Sequence, residues 1–163
     1  MAMSYSRGDA GESTEIPTAA ALLGAAGLIP FVGLAAAAHF AGDVDAAIAV
    51  EALRAYGAII LSFLGGIIWG LGIAGFGGAA AKPREALRLT VSMMPSLFGW
   101  LALLIPVESG IWLLSSCFPM VLAVDLMMVN GGLAPRWYFA LRWRLTAIAF
   151  LCLVATGAAL PTA

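Results

Sequence analysis

The chain has 163 residues, of which 63% are hydrophobic and 10% charged, with a formal net charge of −1 and a mean hydropathy of +1.01. Soluble domains are about half apolar and a quarter charged, so this composition excludes a water-covered globule, and its high hydrophobicity excludes disorder as well. The charge balance leaves no basic field for nucleic acid.

A membrane-spanning helix needs about 20 apolar residues, and five of them account for most of the apolar content. The expected fold is an all-α, integral-membrane five-helix transmembrane bundle. Residues 1–15 form a polar tail carrying Arg7 with Asp9, Glu12 and Glu15, and residues 16–160 a single five-span transmembrane domain. A cleavable signal has a basic start and a core of about 7–15 residues; the first apolar run is longer and reads as a retained helix. Span one covers 16–40, with Pro17 at its start and Pro30 inside it. Asp43, Asp45, Glu51 and Arg54 lead into span two at 56–76, and Asp43 is placed to cap a helix that begins outside the bilayer. The basic stretch Lys82-Pro83-Arg84 precedes span three at 88–105, which contains Pro95. Span four covers 111–129, with Pro119 and Asp125 inside it, and Asn130-Gly131-Gly132 is a helix stop. Pro135-Arg136-Trp137 opens the last helix, which runs to Leu160.

Alternating the flanks of five spans puts Arg7, Lys82, Arg84, Arg88, Arg136, Arg142 and Arg144 on one side and Arg54 alone on the other. The positive-inside rule then places the N-terminus in and the C-terminus out, in a bacterial inner (cytoplasmic) membrane. Trp137, Tyr138 and Trp143 fall at the inner interface and Trp112 at the outer one, as belt aromatics do.

In span two, Ala58, Ser62, Gly66, Gly70 and Ala74 recur every four residues, with Gly65 beside them. Within lipid, helices associate through close backbone approach at small residues, so this stripe is the expected helix-packing face, with Trp69 beside it and turned into the bundle. Ile60, Leu64, Ile67 and Leu71 fall opposite. Pro30, Pro95 and Pro119 free the carbonyls of Ala26, Val91 and Ser115, which in lipid need partners; Ser92, Ser96, Ser115 and Ser116 are nearby candidates. Asp125 is the one acid inside an apolar run, and an intramembrane charge is normally paired. Four residues before the end of its span it lies only ~6 Å below the interface, level with Arg142 and Arg144. The expected structural ion pair is Asp125–Arg142, with Arg144 second.

His39, the only histidine, sits at the outer end of span one next to Asp43. Ala35-x-x-x-His39 resembles a pigment-ligating pattern, but an interfacial histidine is the plainer reading. Cys117 and Cys152 lie in apolar runs without CxxC or Cys/His spacing, so neither a metal site nor a disulfide framework is indicated. No catalytic constellation is present, so no enzyme activity and no cofactor is expected.

Several stretches resemble one family. Residues 22–31 (LLGAAGLIPF) look like its opening motif, residues 56–70 (YGAIILSFLGGIIWG) like its central signature, and Pro95-Ser96-Leu97 with Trp100, Asp125, and Pro135-Arg136-Trp137-Tyr138 leading into Leu141-Arg142 like its later positions. The chain is thereby similar to the uncharacterised bacterial and mitochondrial family named for transmembrane protein 69. Where many members have a histidine before the tryptophan of the central signature, this chain has Ile68. The resemblance implies an inner-membrane location and supplies no activity.

The expected function is non-enzymatic: an accessory or assembly subunit that packs by its small-residue face against other integral membrane proteins of a larger respiratory or photosynthetic complex. The alternative is a small carrier or lipophilic-ligand or lipid binder, with a pocket near Trp69, Trp100 and Asp125. Membrane lipids are the remaining expected partners.

Overall fold

A computed structural model describes residues 15–75 and 85–160. Among these the chain forms five α-helices and no strand: α1 (Thr18–Phe40), α2 (Asp43–Ile73), α3 (Glu85–Leu104), α4 (Val107–Asn130) and α5 (Arg136–Ala159). Each is long and apolar enough to cross a membrane. Arg7, Lys82 and Arg84 lie outside the described residues.

Local chemistry sets the helix ends. Pro17, Pro106 and Pro135 stand immediately before α1, α4 and α5, with φ of −57°, −51° and −63°; the ring fixes φ near these values and no N–H is needed there. The residue capping α2 is Gly42, without a side-chain bond, so Asp43 is not the cap. Asp43 and Asp45 occupy the first turn instead, where carboxylates oppose the positive end of the helix dipole. With 31 residues α2 is about 46 Å long, against about 30 Å of hydrocarbon, so its first turns stand beyond the bilayer core.

The end of α4 closes as a Schellman motif. Leu133 N–H donates to the Met128 carbonyl at 2.8 Å, Gly132 N–H to that of Val129 at 3.1 Å, and Gly132 has φ +68°. Only glycine takes that conformation without strain. Gly132→Ala is therefore expected to lower stability by about 1 kcal/mol, measured by thermal unfolding in detergent, whereas alanine at exposed Gly33 on α1, where no atom lies within 4 Å of an added Cβ, should not.

Helices α2 and α4 form the centre. The former packs on α1, α3 and α4, the latter on α2, α3 and α5, and α1 closes against α5. Leu53, Leu61, Ile111, Leu114 and Leu153 are fully buried between them, and Phe31 stands edge-on to Phe118 (ring centroids 5.7 Å apart) and to Tyr56 (5.1 Å).

The tightest seams are built at glycines, but not those of the every-fourth stripe. A Cβ on Gly65 of α2 would run into the Ser92 carbonyl of α3. One on Gly99 of α3 would come within 3.0 Å of the Ala58 carbonyl, and one on Gly110 of α4 would run into that of Ala102. Gly66 and Gly70, expected on the packing face, have nothing within 4 Å and are exposed, and Ser62 is half-buried. Four residues turn an α-helix by 400°, so an i, i+4 stripe drifts about 40° per step and leaves any straight seam. The buried edge alternates steps of three and four, through Ala58, Leu61, Gly65, Ile68 and Gly72. Trp69 lies beyond that edge and is 40% exposed, not turned into the bundle, while Leu64, expected opposite, is buried. Ile68 is a core residue.

Consecutive helices run antiparallel. One end of the bundle gathers the start of α1, the end of α2, the start of α3, the end of α4 and the start of α5, as the approaches of Gly24 to Leu145, Gly72 to Arg88 and Asp125 to Arg142 require. The cations Arg88, Arg136, Arg142 and Arg144 belong to that end. At the other, Arg54 donates to the Ile105 carbonyl just past α3 at 2.9 Å and pairs with Glu51 at 2.7 Å; a cation there meets the negative end of the helix dipole.

Candidate functional site

The polar centre of the bundle joins α4 to α5. Asp125 of α4 is 1% exposed. Its Oδ2 accepts from Arg142 Nε at 2.9 Å and its Oδ1 from the Tyr138 hydroxyl at 3.2 Å. Tyr138 and Arg142 are four residues apart on α5 and share one face, so two donors reach one carboxylate. Arg144, the expected second partner, is exposed: two residues further on it points about 200° around the helix. Tyr138 is buried at the ion pair and is not an interfacial belt residue, whereas Trp143 and Trp112 are 48% and 40% exposed.

The same face of α5 continues through Thr146, four residues beyond Arg142. Arg142 and Thr146 are 6% and 3% exposed, yet Arg142 Nη2 and Thr146 Oγ1 have no hydrogen-bond partner. A buried polar atom left without a partner costs about 1–3 kcal/mol, so two side by side on one face need an explanation.

Both residues line a cavity in the bundle. It has a volume of about 490 Å³ and lies between α1, α2 and α5, with Phe118 of α4 also lining it. Ligand pockets commonly occupy about 300–1,000 Å³ and combine apolar walls with a few placed polar groups. Here the walls include Leu23 and Leu28 of α1, Phe63 and Ile67 of α2, and Leu141 and Leu145 of α5, and the side chains carrying polar groups are Trp137, Tyr138, Arg142 and Thr146. The glycines Gly24 and Gly27 thin the α1 wall. The Gly27 carbonyl, one turn before Pro30, accepts from the Tyr56 hydroxyl at 2.9 Å. Pro30 itself frees the Ala26 carbonyl, so this bond ties α2 to α1 beside the break and does not fill it; serines were the expected partners of the freed carbonyls. Ser92, Ser115 and Ser116 instead donate to carbonyls of their own helices, those of Leu89 and Trp112.

The cavity is not where the sequence placed it. Neither Trp69 nor Trp100, the latter 62% exposed, lines it, and Asp125 stands behind its wall through Tyr138 and Arg142. Thr146 does not stand out in the sequence, and Gly24 and Gly27 do so only as part of the stretch 22–31. The available signal was the four-residue spacing of Tyr138, Arg142 and Thr146 along an otherwise apolar helix. A second, smaller space of about 190 Å³ between α2, α3 and α4 is apolar and touches Ile68, Pro95 and Cys117. Cys117 and Cys152 are free thiols. His39 is exposed, with Nδ1 at 2.8 Å from the Ala35 carbonyl of its own helix. Among the described residues no group of three or more His, Cys, Asp or Glu side chains is placed to hold a metal ion.

The family model described as "Protein of unknown function (DUF3429)" matches residues 16–158. The chain is 38% identical over 142 residues to Transmembrane protein 69 of Xenopus tropicalis, covering 86% of this chain and 54% of that protein. It is 34% identical over 102 residues to Transmembrane protein 69 of Mus musculus, covering 63% and 40%. The chain thus spans about half the length of the curated relatives it matches. No solved structure matches significantly.

Proposed function

Because the chain belongs to the DUF3429 family, matched across all five of its spanning helices, and is a multi-pass integral membrane protein, we propose that it acts by binding rather than by catalysis, holding a lipophilic ligand between α1, α2 and α5. The observation that carries this reading is the cavity of about 490 Å³ whose apolar walls end on a buried polar face of α5. By the positive-inside rule the arginine-bearing end faces the cytoplasm of a bacterial inner membrane, and the cavity then lies in the inner half of the bilayer.

Purified protein in mild detergent is expected to bind tritiated hexadecane saturably at one molecule per chain. Gly27→Leu should weaken this at least tenfold. A Cβ at Gly27 meets only the Tyr56 hydroxyl, at 3.9 Å, so the added side chain fills the cavity while improving helix propensity. Hexadecane uptake that never saturates, or that is unchanged by Gly27→Leu, sinks the reading.

A second reading, an accessory or assembly subunit of a larger membrane complex, is favoured by the exposed face of α2. Gly66 and Gly70 lie bare there, one turn apart, the spacing at which one helix admits the backbone of another. On that reading a partner co-purifies in stoichiometric yield and is lost on Gly66→Leu. A monodisperse single chain from gently solubilised native membranes counts against it.

A further inference from the structure

We propose that the ligand of this cavity is an uncharged lipophile whose carbonyl oxygen is received by Arg142 Nη2 and Thr146 Oγ1. The proposal rests on the ligand-binding reading above and names the ligand's chemistry.

Three observations support it. The first is the pair of donors. Arg142 has committed Nε to Asp125, and Nη2 remains unpartnered although the side chain is more than nine-tenths buried. Helical serine and threonine usually satisfy their hydroxyl on a carbonyl one turn back. Thr90 does so on Ala86 at 2.9 Å, and Ser116 on Trp112 at 2.9 Å. Neither Thr146 nor Thr156 of α5 does so, and of the two it is Thr146 that belongs to the cavity wall. Residues at i and i+4 share one helix face, so both side chains border the cavity from the same side of α5; their polar atoms are covered as the structure stands, and a turn of each side chain about its own bonds brings them to the ligand oxygen.

The second observation is charge balance. Among the described residues Arg142 is the single charged one of the cavity wall, and its charge is matched by Asp125 directly behind it. A carboxylate or phosphate entering here would leave one net negative charge in a low-dielectric space, which is costly. A carbonyl takes the same two hydrogen bonds and adds no charge.

The third is depth. Arg142 and Thr146 lie six and ten residues into α5 from Arg136, so about 9 and 15 Å along its axis. The half-thickness of the hydrocarbon is about 15 Å. A phospholipid, whose charged headgroup stays at the interface, cannot carry that headgroup to this level, whereas a neutral lipid with a small polar end can.

The test uses the full chain in mild detergent and three tritiated probes sharing one sixteen-carbon tail: hexadecane, methyl palmitate and palmitate. Methyl palmitate is expected to bind about tenfold more tightly than either of the others, the worth of a buried hydrogen bond. Thr146→Val, which keeps the shape and removes the hydroxyl, should bring the ester about three- to tenfold down towards hexadecane and leave hexadecane unchanged. A decyl-tailed benzoquinone, measured beside the ester, separates a ring carbonyl from an ester carbonyl; Thr146-dependent binding of either supports the proposal. Hexadecane binding as tightly as every carbonyl probe, palmitate binding more tightly than its ester, or Thr146→Val weakening all probes alike would overturn it while leaving the lipophilic site in place. If no probe binds, hexadecane included, the ligand-binding reading falls and this proposal with it.

Discussion

Arg142→Met is expected to lower stability by about 3–5 kcal/mol. The methionine retains most of the arginine's length, so the cost comes from charge. Asp125 is 1% exposed, and without Arg142 its carboxylate keeps only the Tyr138 hydroxyl, at 3.2 Å. Removing one member of a buried pair is far costlier than removing both, because the survivor remains desolvated and unpaired. The double variant Asp125→Leu/Arg142→Met should therefore recover most of the loss. Arg144→Ala, at an exposed position, should change stability by no more than about 0.5 kcal/mol. Chemical denaturation of the detergent-solubilised protein, followed by far-UV circular dichroism, separates the three. A single Arg142→Met variant as stable as the double would mean that the contact carries no coupling energy.

The same ion pair marks how far a sequence can be read here. Asp125 stood out because a carboxylate in an apolar run demands a cation, and its depth matched that of the arginines on the next helix. The rule identified the helices to be joined and the first partner. The exposed position of Arg144 follows from helical phase, which depth alone ignores. Five long apolar runs are legible for a similar reason, since lipid forces each backbone into a helix of predictable length. The start of α2 was less so. Its first turns stand outside the hydrocarbon and carry Asp43, Asp45 and Glu51, so hydropathy sees the span and not the whole helix. The cavity could not be located from the sequence. Its walls come from α1, α2 and α5, and its existence depends on how far α1 stands off the α5 face, a distance set by tertiary packing. Thr146 illustrates the limit. As a residue it is an ordinary helical threonine, and its unpartnered hydroxyl becomes visible only when the carbonyls around it are located.

Adjacent glycines on α2 provide the second large contrast. Gly65→Ala is expected to destabilise by about 1–3 kcal/mol, the usual cost of forcing an extra carbon into a packed seam. Gly66→Ala is expected to be neutral or to stabilise by up to about 1 kcal/mol, because alanine is the better helix former. The alanine at 65 would collide with the Ser92 carbonyl and stand 3.4 Å from Pro95 Cβ and Cγ, so the obstacle is the α3 backbone and a rigid ring, neither of which can turn aside as a side-chain tip can. Relief requires α3 to move away from α2, which would also loosen the reciprocal contact of Gly99 with Ala58 on the same seam. At 66 no atom lies within 4 Å of the added carbon. Thermal unfolding of both variants in one detergent tests the pair, and the reverse order of stability would place the seam on the every-fourth stripe. In native membranes the comparison acquires a second use. If α2 docks a partner through its bare face, Gly66→Ala, harmless to the isolated chain, should weaken that association, whereas Gly65→Ala should impair the fold and leave the docking surface intact. Stability of the purified protein and recovery of a partner should therefore respond to opposite members of two neighbouring residues.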